Sequence, residues 1–352
     1  MTDGEKMQKV LKLSQLETLP LLGNETLWDA TLNRAAFVPV DYLRSMLGYQ
    51  LAYLRSDGDD WQDQSILLCN GGKVIGLWPL SIRIADSKLT SSGAPIFNPL
   101  FASDVTSKVV KTTVAAAHRF AEAWTSEANA ASYRGQEHFR GVLGESAWLQ
   151  TALSEGAWLS VSHDFYLDLT IGLEGVRSQM RKSYKPLISS GEKHWVVAVD
   201  PLGDRGLWRE FQALHAAAAG RQTRSNESWE RQRQAVASGQ GFLVFLRSNS
   251  GALVGAGLFQ HSRDEGLYSV GAYDRSLFDK PLGHVVQYRA IQVLMERGVR
   301  WYRIGAAAYQ ADVPAPSQKE LSISYFKQGF SSHTMPRFIF ERDCADEGAG
   351  VH

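Results

Sequence analysis

The chain repeats itself, and this limits its possible folds more than any other feature. Ser65-Ile-Leu-Leu-Cys69 leads through Asn70-Gly71-Gly72 into Lys73-Val-Ile-Gly76-Leu-Trp-Pro-Leu80. Far downstream, Phe242-Leu-Val-Phe-Leu246 leads through Ser248-Asn-Ser-Gly251 into Ala252-Leu-Val-Gly255-Ala-Gly-Leu-Phe259. Each is an apolar strand, a Gly-containing turn and a second apolar strand, the pattern of a β-hairpin. In both, one Gly sits in the turn (Gly72, Gly251) and another follows in the second strand (Gly76, Gly255). The likeness continues: Leu89-Thr-Ser-Ser-Gly-Ala-Pro95 matches Leu267-Tyr-Ser-Val-Gly-Ala-Tyr273 at Leu, Ser, Gly and Ala, which predicts a third strand. A helix-like run follows each copy, Val105 to Trp124 and Leu282 to Arg297. The chain therefore reads as a duplicated α/β unit.

Length agrees with two units. At 352 residues the chain exceeds the roughly 100–200 residues of an ordinary domain, and the expected division is 1–162 and 163–345. The second copy reads more fully. Phe165–Leu169 predicts a strand and Leu173–Ile188 a helix, followed by a strand at His194–Val199 and helices at Leu207–Ala218 and Glu227–Ala237. After the hairpin and third strand, Leu282, Val286, Ala290, Val293 and Leu294 fall on one helical stripe, with Gly298 as its stop. Trp301–Ile304 predicts a strand, Gln318–Lys327 a helix or turn and Arg337–Phe340 a last strand. An antiparallel hairpin joined to a β-α-β element makes a mixed α/β sheet.

That order of elements resembles the GNAT superfamily, and two such domains in one chain resemble its FemAB-like transferases. The resemblance rests on Asp168-Leu169 followed by Arg181-Lys-Ser-Tyr-Lys-Pro-Leu-Ile188, on Tyr268-Ser-Val-Gly-Ala-Tyr-Asp274, on Lys280-Pro-Leu-Gly-His-Val-Val-Gln287 and on Tyr325-Phe-Lys-Gln-Gly-Phe330. It implies two tandem GNAT-like domains and an acyltransferase. Acyl-CoA is then the expected donor, and aminoacyl-tRNA, which FemAB-like enzymes use, is the alternative. The turn that cradles pyrophosphate in acyl-CoA-binding relatives is represented by Asp279-Lys-Pro-Leu-Gly-His284, with one glycine and a proline.

The candidate residues follow. Lys327, in the motif matched by Phe326-Lys327, is implied by the resemblance to lie near the reacting carbonyl or to bind the donor; an ammonium partly shielded by Phe326 and Phe330 acts strongly on a nearby oxyanion. Tyr309, Tyr273 and Asp274 are candidates for moving or orienting protons, since acyl transfer to an amine needs a deprotonated amine and a protonated leaving group. Gly283, at the predicted N-terminus of the central helix, offers free N–H groups to a phosphate, with Lys280 and His284 adding charge. Arg181 and Lys185, four apart on the predicted helix, share a face and with Lys182 form a basic cluster. Arg221 and Arg224 fall in a predicted loop and could likewise grip an anion, and His215 and His284 are alternatives as base. Each has a plainer reading as a cap, a turn or a solvated face.

Other classes fit less well. Lys plus Arg equals Asp plus Glu at 37 each, which argues against a broad basic face for duplex DNA. The two cysteines, Cys69 and Cys344, show no metal-ligand or disulfide spacing, so no metal is expected. There is neither a G-x-S-x-G elbow nor a Walker A loop. No apolar run is long enough for a transmembrane segment, and the start of the sequence does not read as a signal peptide, so a cytoplasmic protein is expected. The expected partner is a small-molecule amine acceptor, an amino sugar or a cell-envelope precursor, which attacks the thioester directly, with no covalent enzyme intermediate. A non-catalytic binding module is the reading of a different class.

Overall fold

A computed structural model describes residues 3–142 and 144–344. Its contacts fall into two compact units, and neither is one stretch of chain. The first comprises the chain up to Val38, Tyr53–Val161 and the chain from Arg337 onward; the second comprises Pro39–Ala52 and Ser162–Pro336.

In the second unit the sheet order is Val196–Asp200, Gly241–Arg247, Leu253–His261, Glu265–Tyr273, Trp301–Ala307 and the His163–Asp168 part of the strand Trp158–Asp168. Neighbours are antiparallel except Glu265–Tyr273 and Trp301–Ala307, which run parallel. Alternation along the strands explains the layers. Phe242, Val244 and Leu246 pack with Val286, Ala290 and Leu294 of the central helix Leu282–Glu296, while Leu243, Ala256 and Leu258 pack with Leu207, Trp208, Phe211 and Trp229 of the helices Arg205–Ala219 and Asn226–Ala237. The central helix comes so close that a β-carbon at Gly257 would lie 2.7 Å from Val286 Cγ1. Gly298 ends that helix in the left-handed region, at φ 73°, as its position predicts.

The parallel pair is short. Glu265, Gly266 and Leu267 pair with Trp301, Tyr302 and Arg303, and the strands then part, so their C-terminal halves border a wedge rather than a ladder.

In the first unit the hairpin Ile66–Asn70 and Lys73–Trp78 closes through Gly71 and Gly72, both at positive φ, the two-residue turn that matches strand twist. Its outer partners are Thr18–Pro20 and Leu100–Phe101. The helix Ser107–Glu127 buries Ala117, Phe120, Ala121 and Trp124 against Trp78 and Trp148.

Two expectations need correction. The third strand of the first copy was expected over Leu89–Pro95. Lys88–Thr90 instead pairs with Ser81–Arg83, Gly93 lies in a turn at φ 79°, and the hairpin's third partner is Leu100–Phe101. Pro95 removes a ladder donor exactly where the strand would continue. The expected helix Leu173–Ile188 is two helices, Gly172–Gln179 and Tyr184–His194. Pro186 is the reason: mid-helix it lacks the N–H owed to the Lys182 carbonyl, whereas as the third residue of a new helix it owes none.

Candidate functional site

The helix Gln318–Gln328 starts with a capping box, Ser317 Oγ accepting from the Glu320 N–H and the Glu320 carboxylate accepting from the Ser317 N–H. One turn before its end, Ser324 Oγ accepts from Ala308 N at 2.9 Å and donates to Ala308 O at 3.0 Å. This pins the helix beside the end of Trp301–Ala307 and fixes where Lys327 points. Its Nζ lies against Gly305, which adopts φ 118°. Among the described residues Nζ has no hydrogen bond or ion pair. Burial lowers the Lys327 pKa, and the charge of Asp164 opposes that fall. Asp164 is buried and pairs with Ala306, next to Gly305.

Tyr309 follows the same strand. Its N–H donates to Asp312 Oδ2 at 2.8 Å, and its ring meets His163 edge-on at 5.6 Å between centroids.

Across the wedge, the Tyr273 and Tyr268 hydroxyls are 3.1 Å apart, and burial raises the Tyr273 pKa well above the ordinary phenol value. At neutral pH Tyr273 is therefore a proton donor, not a base. Asp274 accepts from Ser276 N at 2.9 Å and Ser276 Oγ at 2.7 Å, so its carboxylate caps the short turn Arg275–Leu277.

Gly283 stands in the first turn of the central helix. A β-carbon there would lie 3.1 Å from Phe326 Cζ and 3.7 Å from Tyr273 Cζ, so two aromatic rings crowd this end of the helix. His284 is boxed by Tyr184 at 4.5 Å and Phe326 at 5.1 Å between centroids. Burial, aided by Arg181, lowers its pKa to about 4. The expectation that His284 adds charge is thus corrected: desolvation keeps it neutral. Lys280 is exposed and pairs with Asp279 at 3.1 Å.

Arg181 and Lys185 do not share one helix. Arg181 lies in the break between two helices, where its N–H donates to Gly329 O at 2.9 Å and Nη1 donates to Tyr184 Oη at 2.9 Å. Lys185 lies in the first turn of Tyr184–His194. The Tyr184 hydroxyl in turn donates to Phe326 O at 3.1 Å, linking the basic cluster to the Lys327 helix. Arg224 and His215 meet at 3.0 Å beside Trp229, away from this group.

The sequence reading missed a buried ionic cluster in the second unit. Arg303 Nη2 donates to Asp41 Oδ2 at 2.7 Å and lies beside Glu265, 3.5 Å from Oε1. Glu265 also accepts from Tyr166 Oη and from Val40 N, both at 2.8 Å. An Arg within the apolar strand Trp301–Ala307 was a visible signal; Asp41, far away in sequence, gave none.

Residues 174–311 match the family model described as an acetyltransferase (GNAT) domain. That span contains Gly283 and Tyr309 and stops short of Lys327. No curated protein matches the chain. Among solved structures, FemX aligns over 92% of this chain and 96% of its own, at a TM-score of 0.66 and 12% identity. L-PGS from Bacillus licheniformis aligns over 92% and 93%, at 0.59 and 12%. A tandem GNAT protein from the clavulanic acid biosynthesis pathway, solved without AcCoA, aligns over 94% and 99%, at 0.50 and 15%. At such identities the likeness is one of fold. The domain match makes residues 174–311 a GNAT-type acyltransferase domain, and the fold of the chain is similar to that of FemX.

Proposed function

We propose that the second unit transfers an acyl group to an amine by direct attack, with the Lys327 ammonium facing the carbonyl oxygen on which charge develops. The observation that carries this reading is the position of Nζ: half-buried, against Gly305, with its donor capacity unspent among the described residues. An ammonium so placed acts through a medium of low polarity, where its field on an oxyanion is strong. The amine nitrogen attacks the carbonyl carbon, and the tetrahedral intermediate collapses as the bond to the carrier's sulfur or oxygen breaks; the leaving atom takes up one proton and the nitrogen gives one up to solvent. Tyr309 is assigned the leaving atom's proton, and Tyr273, whose pKa burial raises, is the second hydroxyl beside the wedge. Asp274 keeps its turn, and with it Tyr273, in place. The amides at Gly283, with Lys280, Arg181 and Lys185, are assigned to the donor's phosphates, and neutral His284 to a hydrogen bond.

The leading donor is acyl-CoA, and the acceptor an amine on a small molecule, a sugar or a cell-envelope precursor in the cytoplasm. One observation favours aminoacyl-tRNA as a second reading: the fold likeness to FemX. Thermal unfolding with acetyl-CoA, longer acyl-CoAs and bulk aminoacyl-tRNA separates them. A ligand at a hundredfold excess over its Kd stabilises by about 2.7 kcal/mol. Stabilisation by a CoA species supports the leading reading. Binding of aminoacyl-tRNA alone, falling steeply with salt, supports the second, and no response to either sinks both.

A further inference from the structure

Tyr325 stands just before Phe326 and Lys327, yet its side chain turns outward and is 64% exposed. One face is already taken: the Arg181 guanidinium carbon lies 3.7 Å from the ring centroid. Arg181 is held there by its N–H bond to Gly329 O and by Nη1 to Tyr184 Oη, so the platform is fixed from two sides. A rigid, solvent-facing aromatic ring backed by a guanidinium has no role in packing this unit. It is the arrangement on which a planar base stacks.

Its surroundings are cationic. Arg181, Lys182 and Lys185 form no ion pair with any carboxylate among the described residues, whereas elsewhere in this unit Arg233 is paired with Glu230 and Arg247 with Glu210. The cluster also connects to the central helix N-terminus, since Tyr184, which bonds Arg181, contacts His284 at 4.5 Å.

We propose that Tyr325, stacked on Arg181, is the platform for the adenine ring of the acyl donor, with Lys182 and Lys185 taking its phosphates. This rests on the acyl-transfer reading and deepens it. The shared chemistry is a phosphorylated adenosine, present in coenzyme A and at the acceptor end of tRNA alike. The platform recognises that moiety whichever carrier brings it.

The test uses the full chain and adenosine 3′,5′-bisphosphate as probe, with inorganic pyrophosphate as a control lacking the base. Tyr325→Ala weakens binding of the bisphosphate roughly tenfold or more, the scale of one lost base stack, and leaves pyrophosphate binding unchanged. Tyr325→Phe, which keeps the ring, binds like the wild type. The same loss with CoA identifies a coenzyme donor, and with tRNA a nucleic-acid donor. Equal binding by Tyr325→Ala and the wild type overturns the proposal, as does an equal loss of pyrophosphate binding or a wild type that does not bind the bisphosphate. Failure of the broader reading looks different: the Tyr325 effect on nucleotide binding persists while no acyl group is transferred.

Discussion

Lys327 Nζ lies so close to Gly305 that a β-carbon built on the glycine would come within 2.7 Å of it. The glycine is required twice, once for its φ of 118° and once for the space the ammonium occupies. Gly305→Ala therefore strains the strand and displaces Lys327 together. The expected cost is about 1–3 kcal/mol of stability and a fall of roughly a hundredfold in kcat, read by thermal unfolding and steady-state kinetics. A variant with wild-type kcat contradicts this placement.

His284 makes the fold sensitive to acid. Its pKa is about 4 in the folded chain, against 6.5 for the free side chain. Between those values the unfolded chain binds the extra proton, so stability falls as pH drops from 6.5 toward 4. His118, at about 3, and His215, at about 4, act in the same direction. His284→Gln removes one contribution, worth at most about 3 kcal/mol over that window. Urea unfolding of both proteins at pH 7 and pH 4.5 checks it: the gap between the two pH values narrows in the variant.

Arg303 sits between two carboxylates, the buried Glu265 and the partly buried Asp41. Arg303→Met removes the Arg303 charge from beside both and is expected to cost about 3–5 kcal/mol. Asp41→Asn, which leaves Arg303 with Glu265, costs less. Because Asp41 belongs to the segment Pro39–Ala52, Arg303→Met also raises proteolytic cleavage in that segment. Equal Tm values for Arg303→Met and Asp41→Asn would argue against the cluster as a unit.

Most of the second unit was legible because its strands and central helix carry apolar residues at the period of their own geometry. Leu282, Val286, Ala290 and Leu294 are all buried, as their stripe predicts. The repeat was legible at the hairpins, where paired glycines mark turn and strand. It misled at Leu89–Pro95, where shared letters gave no information on which strand becomes the neighbour. The break after Gln179 was written in Pro186 and outweighed by an otherwise continuous helical pattern. Around the site, the sequence named Lys327 and Gly283 but not what they touch. The contact of Nζ with Gly305, the neutrality of His284 and the pairing of Arg303 with Asp41 depend on distances that only the folded chain sets.

The most direct test of the account is a single-turnover measurement of acyl transfer from the bound donor, comparing the wild type with Lys327→Met. The account predicts that the variant folds, binds the donor as tightly as the wild type, and transfers the acyl group roughly 100–1,000-fold more slowly, as expected when one oxyanion-stabilising donor is lost. Transfer at the wild-type rate by Lys327→Met would contradict it.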